Sequence, residues 1–212
     1  MLFRVLGPVA HHVGGQWVQA GGALRRRLLA VLLARAGQLV SHDQLAEALW
    51  QRDADARAQQ RLHVHVHRLR AELEQPELLI GHEGAYELRP PPGSLDAQRF
   101  EEQADRASAS QDETVRAEAA LAALREWPAG WSVRAYDSVD VAVCRDEAER
   151  LEALRIDVAE LYLTAEVQRG RHLDVLPELA ALARLHPLRE SMQAQLMRAL
   201  HQAGRRHEAL EV

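Results

Sequence analysis

The sequence contains no lysine, and all 26 basic residues are arginine. One cysteine, Cys144, is present, so no disulfide can form within the chain, as suits a reducing compartment. Aromatic residues make up only 4% of the chain. Its longest apolar run, residues 28–34, falls far short of the roughly 20 residues that span a bilayer. Its first residues lack the long uncharged stretch of a secretion signal. These absences give the expectation of a cytoplasmic protein without a membrane segment. Glycine-rich phosphate loops of the Walker or dinucleotide-binding type are missing too, and no local signature argues a Ser/His/Asp order. The expectation is a protein that is not an enzyme, with no catalytic residues, no cofactor and no bound metal.

The chain does hold 212 residues, 47% of them hydrophobic, enough for two small, mainly helical domains. Charge is unevenly divided. Residues 1–94 carry 11 Arg against 9 acids and hold 7 of the 11 His, whereas residues 95–212 carry 15 Arg against 22 acids. The front is weakly basic and histidine-rich, and the back is acidic.

The most informative stretch is residues 57–73. Leu62, Val66, Leu69 and Leu73 fall at i, i+4, i+7 and i+11, one apolar stripe of a helix. The opposite arc carries Arg57, Gln60, Arg61, Val64, His67 and Arg68. Guanidiniums pair with phosphates or guanine edges, and an exposed valine suits a thymine methyl. The bland alternative is a solvated amphipathic helix with an arginine-rich face. His63, His65 and His67 alternate in sequence, but on a helix only His63 and His67 share a face, and no further ligands complete a metal site.

The flanking elements favour the first reading. A strand over residues 2–6 and a hairpin around Gly14-Gly15 open the chain. Next comes a helix over about residues 23–36, with Gly37 placed to end it as C′. Ser41 and Gln44 form a capping box for a short helix over about 42–50, and a polar loop, residues 51–56, leads to the 57–73 helix. Strands over 78–80 and 86–88 follow, joined by a turn with Gly81 and Gly84. Strands, three helices and a hairpin are the order of a winged helix. Residues 90–93 (Pro-Pro-Pro-Gly) make a stiff break, giving domains 1–93 and 94–212. Beyond it, helices are expected over about 96–110, 113–126, 138–169, 172–185 and 188–203, with another from about 205. Trp127 and Trp131, between them, read as packing anchors. Interleaved charges over residues 137–160 read as a salt-bridged helix surface. Gly170-Arg171-His172 and Gly204-Arg205-Arg206-His207 place glycines 34 residues apart, the period of a tetratricopeptide hairpin.

Residues 3–8 (Phe-Arg-Val-Leu-Gly-Pro), 40–50, 62–73, 150–155 and 186–200 together resemble the Streptomyces antibiotic regulatory proteins. Those proteins join an OmpR-type winged-helix domain to a bacterial transcriptional activation domain. The resemblance implies a mainly α fold: a winged helix-turn-helix with small β elements, then an all-α, tetratricopeptide-like domain. It implies a transcriptional activator of secondary-metabolite gene clusters. Its partners would be double-stranded promoter DNA with repeated sites and RNA polymerase including its sigma factor; homo-oligomers are compatible with it. Carried over by position, Gln60, Arg61, Val64, His67 and Arg68 face the groove, Arg70 lies toward the DNA backbone, and Tyr86 belongs to the wing. The wing tip departs from the family pattern, being acidic at His82-Glu83-Gly84-Ala85. The family's activation domain continues with further helices, so the expectation is a domain shortened at its C-terminus, the front of a larger regulator, or a short natural form. The competing reading is a regulatory scaffold for protein contacts with weak or lost DNA binding.

Overall fold

The computed structural model describes residues 1–50, 57–128 and 130–212. The polar loop read over residues 51–56 lies outside the described residues. By compactness the chain forms two units, residues 1–99 with 126–153, and residues 100–125 with 154–212. Among the described residues no helix is long and apolar enough to cross a membrane.

The first unit opens with an antiparallel sheet of β1 (Phe3–Arg4), β2 (Ala10–Val13) and β3 (Gln16–Val18), in that order. Gly14 and Gly15 both take positive φ, 57° and 84°, and join β2 to β3 as the two central residues of a tight hairpin. The expected strand over 2–6 is shortened because the Val5 and Leu6 N–H groups leave the sheet for the carboxylate of Asp96. Neighbouring carbonyls of Val5 and Gly7 accept from the N–H groups of Tyr136 and Asp137, at 2.7 and 3.0 Å. That use of the backbone, with left-handed φ at Tyr136 and Ser138, delays the helix expected from 138. Trp127 in the same segment is buried, whereas Trp131 is 42% exposed, so only the first is a buried anchor.

Next come α1 (Ala23–Ala34), β4 (Val40–Ser41), α2 (His42–Trp50), α3 (Ala58–Glu72), β5 (Leu79–His82) and β6 (Ala85–Leu88). The second sheet has the order β4-β6-β5 and is antiparallel throughout. The sequence pattern did not reveal β4, a two-residue strand too short for a visible alternation. Ser41 ends β4 and also caps α2: its hydroxyl accepts from the Gln44 N–H at 3.2 Å while the Gln44 side chain accepts from the Ser41 N–H at 3.0 Å. Gly37 has the expected left-handed φ of 74°, but α1 caps at Arg35, two residues earlier. The Gly37 N–H donates instead to the Leu88 carbonyl at 2.8 Å. Buried Leu28, Leu32, Leu45, Leu49, Leu62, Val66, Leu69 and Leu88 form the core under these elements.

The helices that follow are α4 (Asp96–Ala109), α5 (Glu113–Leu124), α6 (Ala142–Gln168), α7 (His172–Leu185), α8 (Glu190–Gln202) and α9 (Arg206–Glu211). Asp112 caps α5 by accepting from the Thr114 and Val115 N–H groups. The 34-residue echo is a repeat of backbone geometry. Gly170 and Gly204 have φ of 79° and 78°. Gly170 and Arg171 donate to the carbonyls of Val167 and Glu166, and Gly204 and Arg205 donate to those of His201 and Leu200. Both are Schellman ends of a helix, each with an alanine, Ala165 or Ala199, fully buried at the same offset. Leu163, Val167, Leu179, Leu182, Met192 and Leu200 fill the core that these hairpins share. The fold is therefore a winged helix followed by an all-α, tetratricopeptide-like array.

A Cβ at Gly170 would meet nothing within 4 Å, so Gly170→Ala isolates the cost of a left-handed φ. That substitution is expected to lower stability by about 1–2 kcal/mol in urea unfolding.

Asp96 yields a second test. Its carboxylate accepts from Val5, Leu6 and Ala97 N–H groups at 2.8–3.1 Å. Burial pushes this carboxyl up from 3.8 to about 6, and the three N–H groups offset only part of that rise. Folding therefore takes up a proton between those two pH values. The group's contribution to stability should fall as pH rises from about 4 to about 6, by up to about 1.4 kcal/mol per pH unit, then level off. The difference in unfolding free energy between the unaltered chain and Asp96→Asn, followed against pH, reads this directly. A difference independent of pH would show that folding does not raise the carboxyl's pKa.

Candidate nucleic-acid interface

The site is built on α3. Leu62, Val66 and Leu69 are at most 1% exposed and Leu73 is 7% exposed, so the predicted stripe is the buried one. Each such side chain contributes about 1.5–3 kcal/mol on leaving water. That burial sets the rotation of the helix and turns the other arc outward. Arg57, Gln60, Val64, His67 and Arg68 are exposed, and Arg61 is half-buried at the edge. Val64, 48% exposed, is the lone large apolar side chain on this face.

The Arg61 guanidinium lies 4.7 Å from the ring centroid of Trp50, the last residue of α2. His65 is turned off the arc, its ring 6.0 Å from that of Trp50. Burial, then the guanidiniums of Arg25, Arg68 and Arg61, hold its imidazole below the usual histidine range. The three alternating histidines thus part company: His63, though exposed, meets the Tyr86 hydroxyl, half-buried His65 meets Trp50, and His67 is exposed.

Arg70 and Tyr86 are not on the outward face. Arg70 donates from Nε and Nη2 to the Leu79 carbonyl of β5, at 3.0 and 2.7 Å. That pairing turns the half-buried guanidinium toward β5. Tyr86 is only 7% exposed, and its phenol lies 2.6 Å from His63 Nδ1. Sequence position put both near the interface; their side chains turn into the wing because β5 and β6 pack against that side of α3.

The C-terminal end of α3 is tied down by residues with no motif to reveal them. The Glu72 carboxylate pairs with Arg25 at 2.6 Å and accepts from the Gly21 N–H at 2.9 Å. The Glu72 carbonyl lies 3.2 Å from His11 Nε2 in β2. Acidic Glu72 faces the negative end of its own helix, and the Arg25 guanidinium offsets that repulsion. On the wing, buried Glu87 is held by Arg89 and by His82, and the Arg89 guanidinium keeps its carboxyl below the usual range. His82, Glu83 and Gly84 at the tip are exposed. Elsewhere, burial pushes the Cys144 thiol up to about 12, a value unsuited to a nucleophile.

A helix-turn-helix whose second helix shows a cationic arc beside a β-hairpin defines a winged-helix transcription regulator. Comparison with known proteins agrees. Residues 22–84 match the family described as transcriptional regulatory protein, C terminal, and residues 95–212 match the bacterial transcriptional activator domain. Regulatory protein AfsR of Streptomyces griseus is 32% identical over 99% of this chain, which spans 21% of that protein. Regulatory protein DnrI of Streptomyces peucetius is 29% identical over the whole chain and 81% of its own length. A solved structure of Mycobacterium tuberculosis EmbR in complex with a low affinity phosphopeptide superposes with a TM-score of 0.87 at 28% identity, over 99% of this chain and 57% of that one. The chain belongs to the bacterial transcriptional activator domain family, in the two-domain combination of the Streptomyces antibiotic regulatory proteins.

Arg68 is exposed on the outward arc, one turn beyond Val64. If it reads a base edge, Arg68→Ala should cost about 1–3 kcal/mol and relax specificity at one position. Affinities for a preferred duplex and its single-base variants check this; equal loss on every sequence would make Arg68 a phosphate contact.

Proposed function

We propose that this chain is a cytoplasmic, DNA-binding transcriptional activator of a secondary-metabolite gene cluster. In this reading α3 enters the major groove of promoter repeats, with Arg57, Gln60, Arg61, Val64, His67 and Arg68 toward the DNA. Residues 1–93 serve as the DNA-binding domain. Residues 94–212 serve as the activation domain and contact RNA polymerase, including its sigma factor, and neighbouring copies can sit side by side on repeated sites. The observation that carries the reading is the exposed cationic stripe on α3, set by burial of the opposite stripe. Stacked helical hairpins, with their continuous outer faces, suit a protein partner.

One observation favours a second reading. The exposed wing tip carries Glu83 and no arginine, so the wing adds little attraction for phosphate. A scaffold with weak or lost DNA binding would look the same there.

Selection of bound duplexes from a random pool by the full chain separates the two readings. An activator of this kind enriches a repeated motif, and its affinity falls steeply with salt, by roughly 0.9 in log–log slope per phosphate neutralised. Addition of the enriched motif upstream of a promoter should then raise transcript yield in a reconstituted assay with RNA polymerase. Recovery of an unenriched pool would end the DNA-binding reading in favour of the scaffold.

A further inference from the structure

We propose that His42, His63 and Tyr86 form a hub that fixes the recognition helix and the wing as one unit, with Tyr86 and His63 positioning residues for sequence reading. The inference rests on the DNA-binding reading above. Three elements meet at these side chains. Tyr86 stands on β6 of the wing, His63 on α3, and His42 is the first residue of α2. The Tyr86 hydroxyl and His63 Nδ1 share a hydrogen bond across 2.6 Å. The His42 ring packs against both, with centroids 5.1 Å from His63 and 5.0 Å from Tyr86.

The backbone closes the same junction. The His42 N–H donates to the Gly84 carbonyl in the wing turn at 2.9 Å, and Val40 pairs with Tyr86 in the sheet. Two turns along α3 from His63, Arg70 fastens the other strand of the wing through the Leu79 carbonyl. Its guanidinium also stands 5.9 Å from the Tyr86 ring centroid. Tyr86 is therefore met from α2 by His42 and from two levels of α3 by His63 and Arg70. Its ring is buried, 7% exposed, and its hydroxyl is bonded within the chain.

The consequence is specific to sequence reading. Hydrogen bonds to base edges require that α3 be held within fractions of an ångström, whereas attraction of exposed guanidiniums to phosphate tolerates a looser fit. Loss of the Tyr86 hydroxyl breaks the bond to His63 and frees the angle between wing and helix but removes no exposed basic side chain. Affinity for a preferred sequence should fall while affinity for arbitrary duplex stays.

The test uses the full chain, the duplex it selects from a random pool, and a scrambled duplex of the same composition. Tyr86→Phe and His63→Ala should each weaken binding to the selected duplex by up to about tenfold, the worth of one net hydrogen bond. Binding to the scrambled duplex, and its salt dependence, should not change. The double variant should lose no more than the larger single loss. His63→Asn, which keeps a hydrogen-bonding group near the position of Nδ1, should recover part of the affinity. Thermal unfolding of each variant confirms that binding is measured on folded protein, with Tyr86→Phe the mildest change. Equal losses on both duplexes would make the phenol a phosphate contact and overturn the proposal. Unchanged affinity on the selected duplex would overturn it as well. Failure of the unaltered chain to select any sequence would remove the DNA-binding reading and this inference with it.

Discussion

The rotation of α3 about its own axis governs the site, and burial of one stripe sets that rotation. Leu62, Val66, Leu69 and Leu73 can leave water together in one orientation only, because successive residues turn by about 100°. With that side committed to the core, Gln60, Val64, His67 and Arg68 have nowhere to go but outward. The hydrophobic effect is non-directional, yet on a helix it acts as a steric key. It aims the polar side chains without touching them.

Burial does not set the tilt of the helix or its relation to the wing. Directional bonds do that. Glu72 links the end of α3 to Arg25 and Gly21, and its carbonyl meets His11 of the first sheet. Arg70 and His63 link the flank of α3 to β5 and β6. None of these tethers follows from the helical period of α3. A further buried tie, Asp96, collects three backbone N–H groups and draws the chain's opening strand to the start of α4. A carboxylate in that position costs free energy when ionised, and the N–H donors recover part of the cost.

Much of the architecture was legible because it depends on local periodicity. The buried stripe of α3, the Ser41–Gln44 capping box and the Gly14-Gly15 hairpin follow from contacts a few residues apart. The repeated Schellman ends at Gly170 and Gly204 were legible for the same reason, since a left-handed C′ position favours glycine wherever it occurs. Where reading failed, a distant partner had intervened. The opening strand ends early because Asp96, some 90 residues away, takes its N–H groups, and the long α6 starts late because residues 136–137 bond to residues 5–7.

The sequence by itself determined which residues of α3 are buried, which face outward, and that helical hairpins follow the winged helix, because those properties repeat with the pitch of a helix. Only the tertiary structure decided which polar side chains on that helix are left exposed and which bond to another element. Arg68 and Arg70 differ by two positions and carry the same group. One is exposed and the other is spent on the carbonyl of Leu79. Tyr86 is the same case on the wing, its hydroxyl spent on His63. A guanidinium or a phenol can bond to a carbonyl or an imidazole in its own chain as well as to DNA. Which it meets depends on what the fold brings within about 3 Å, and that distance is a property of packing among elements rather than of any one of them.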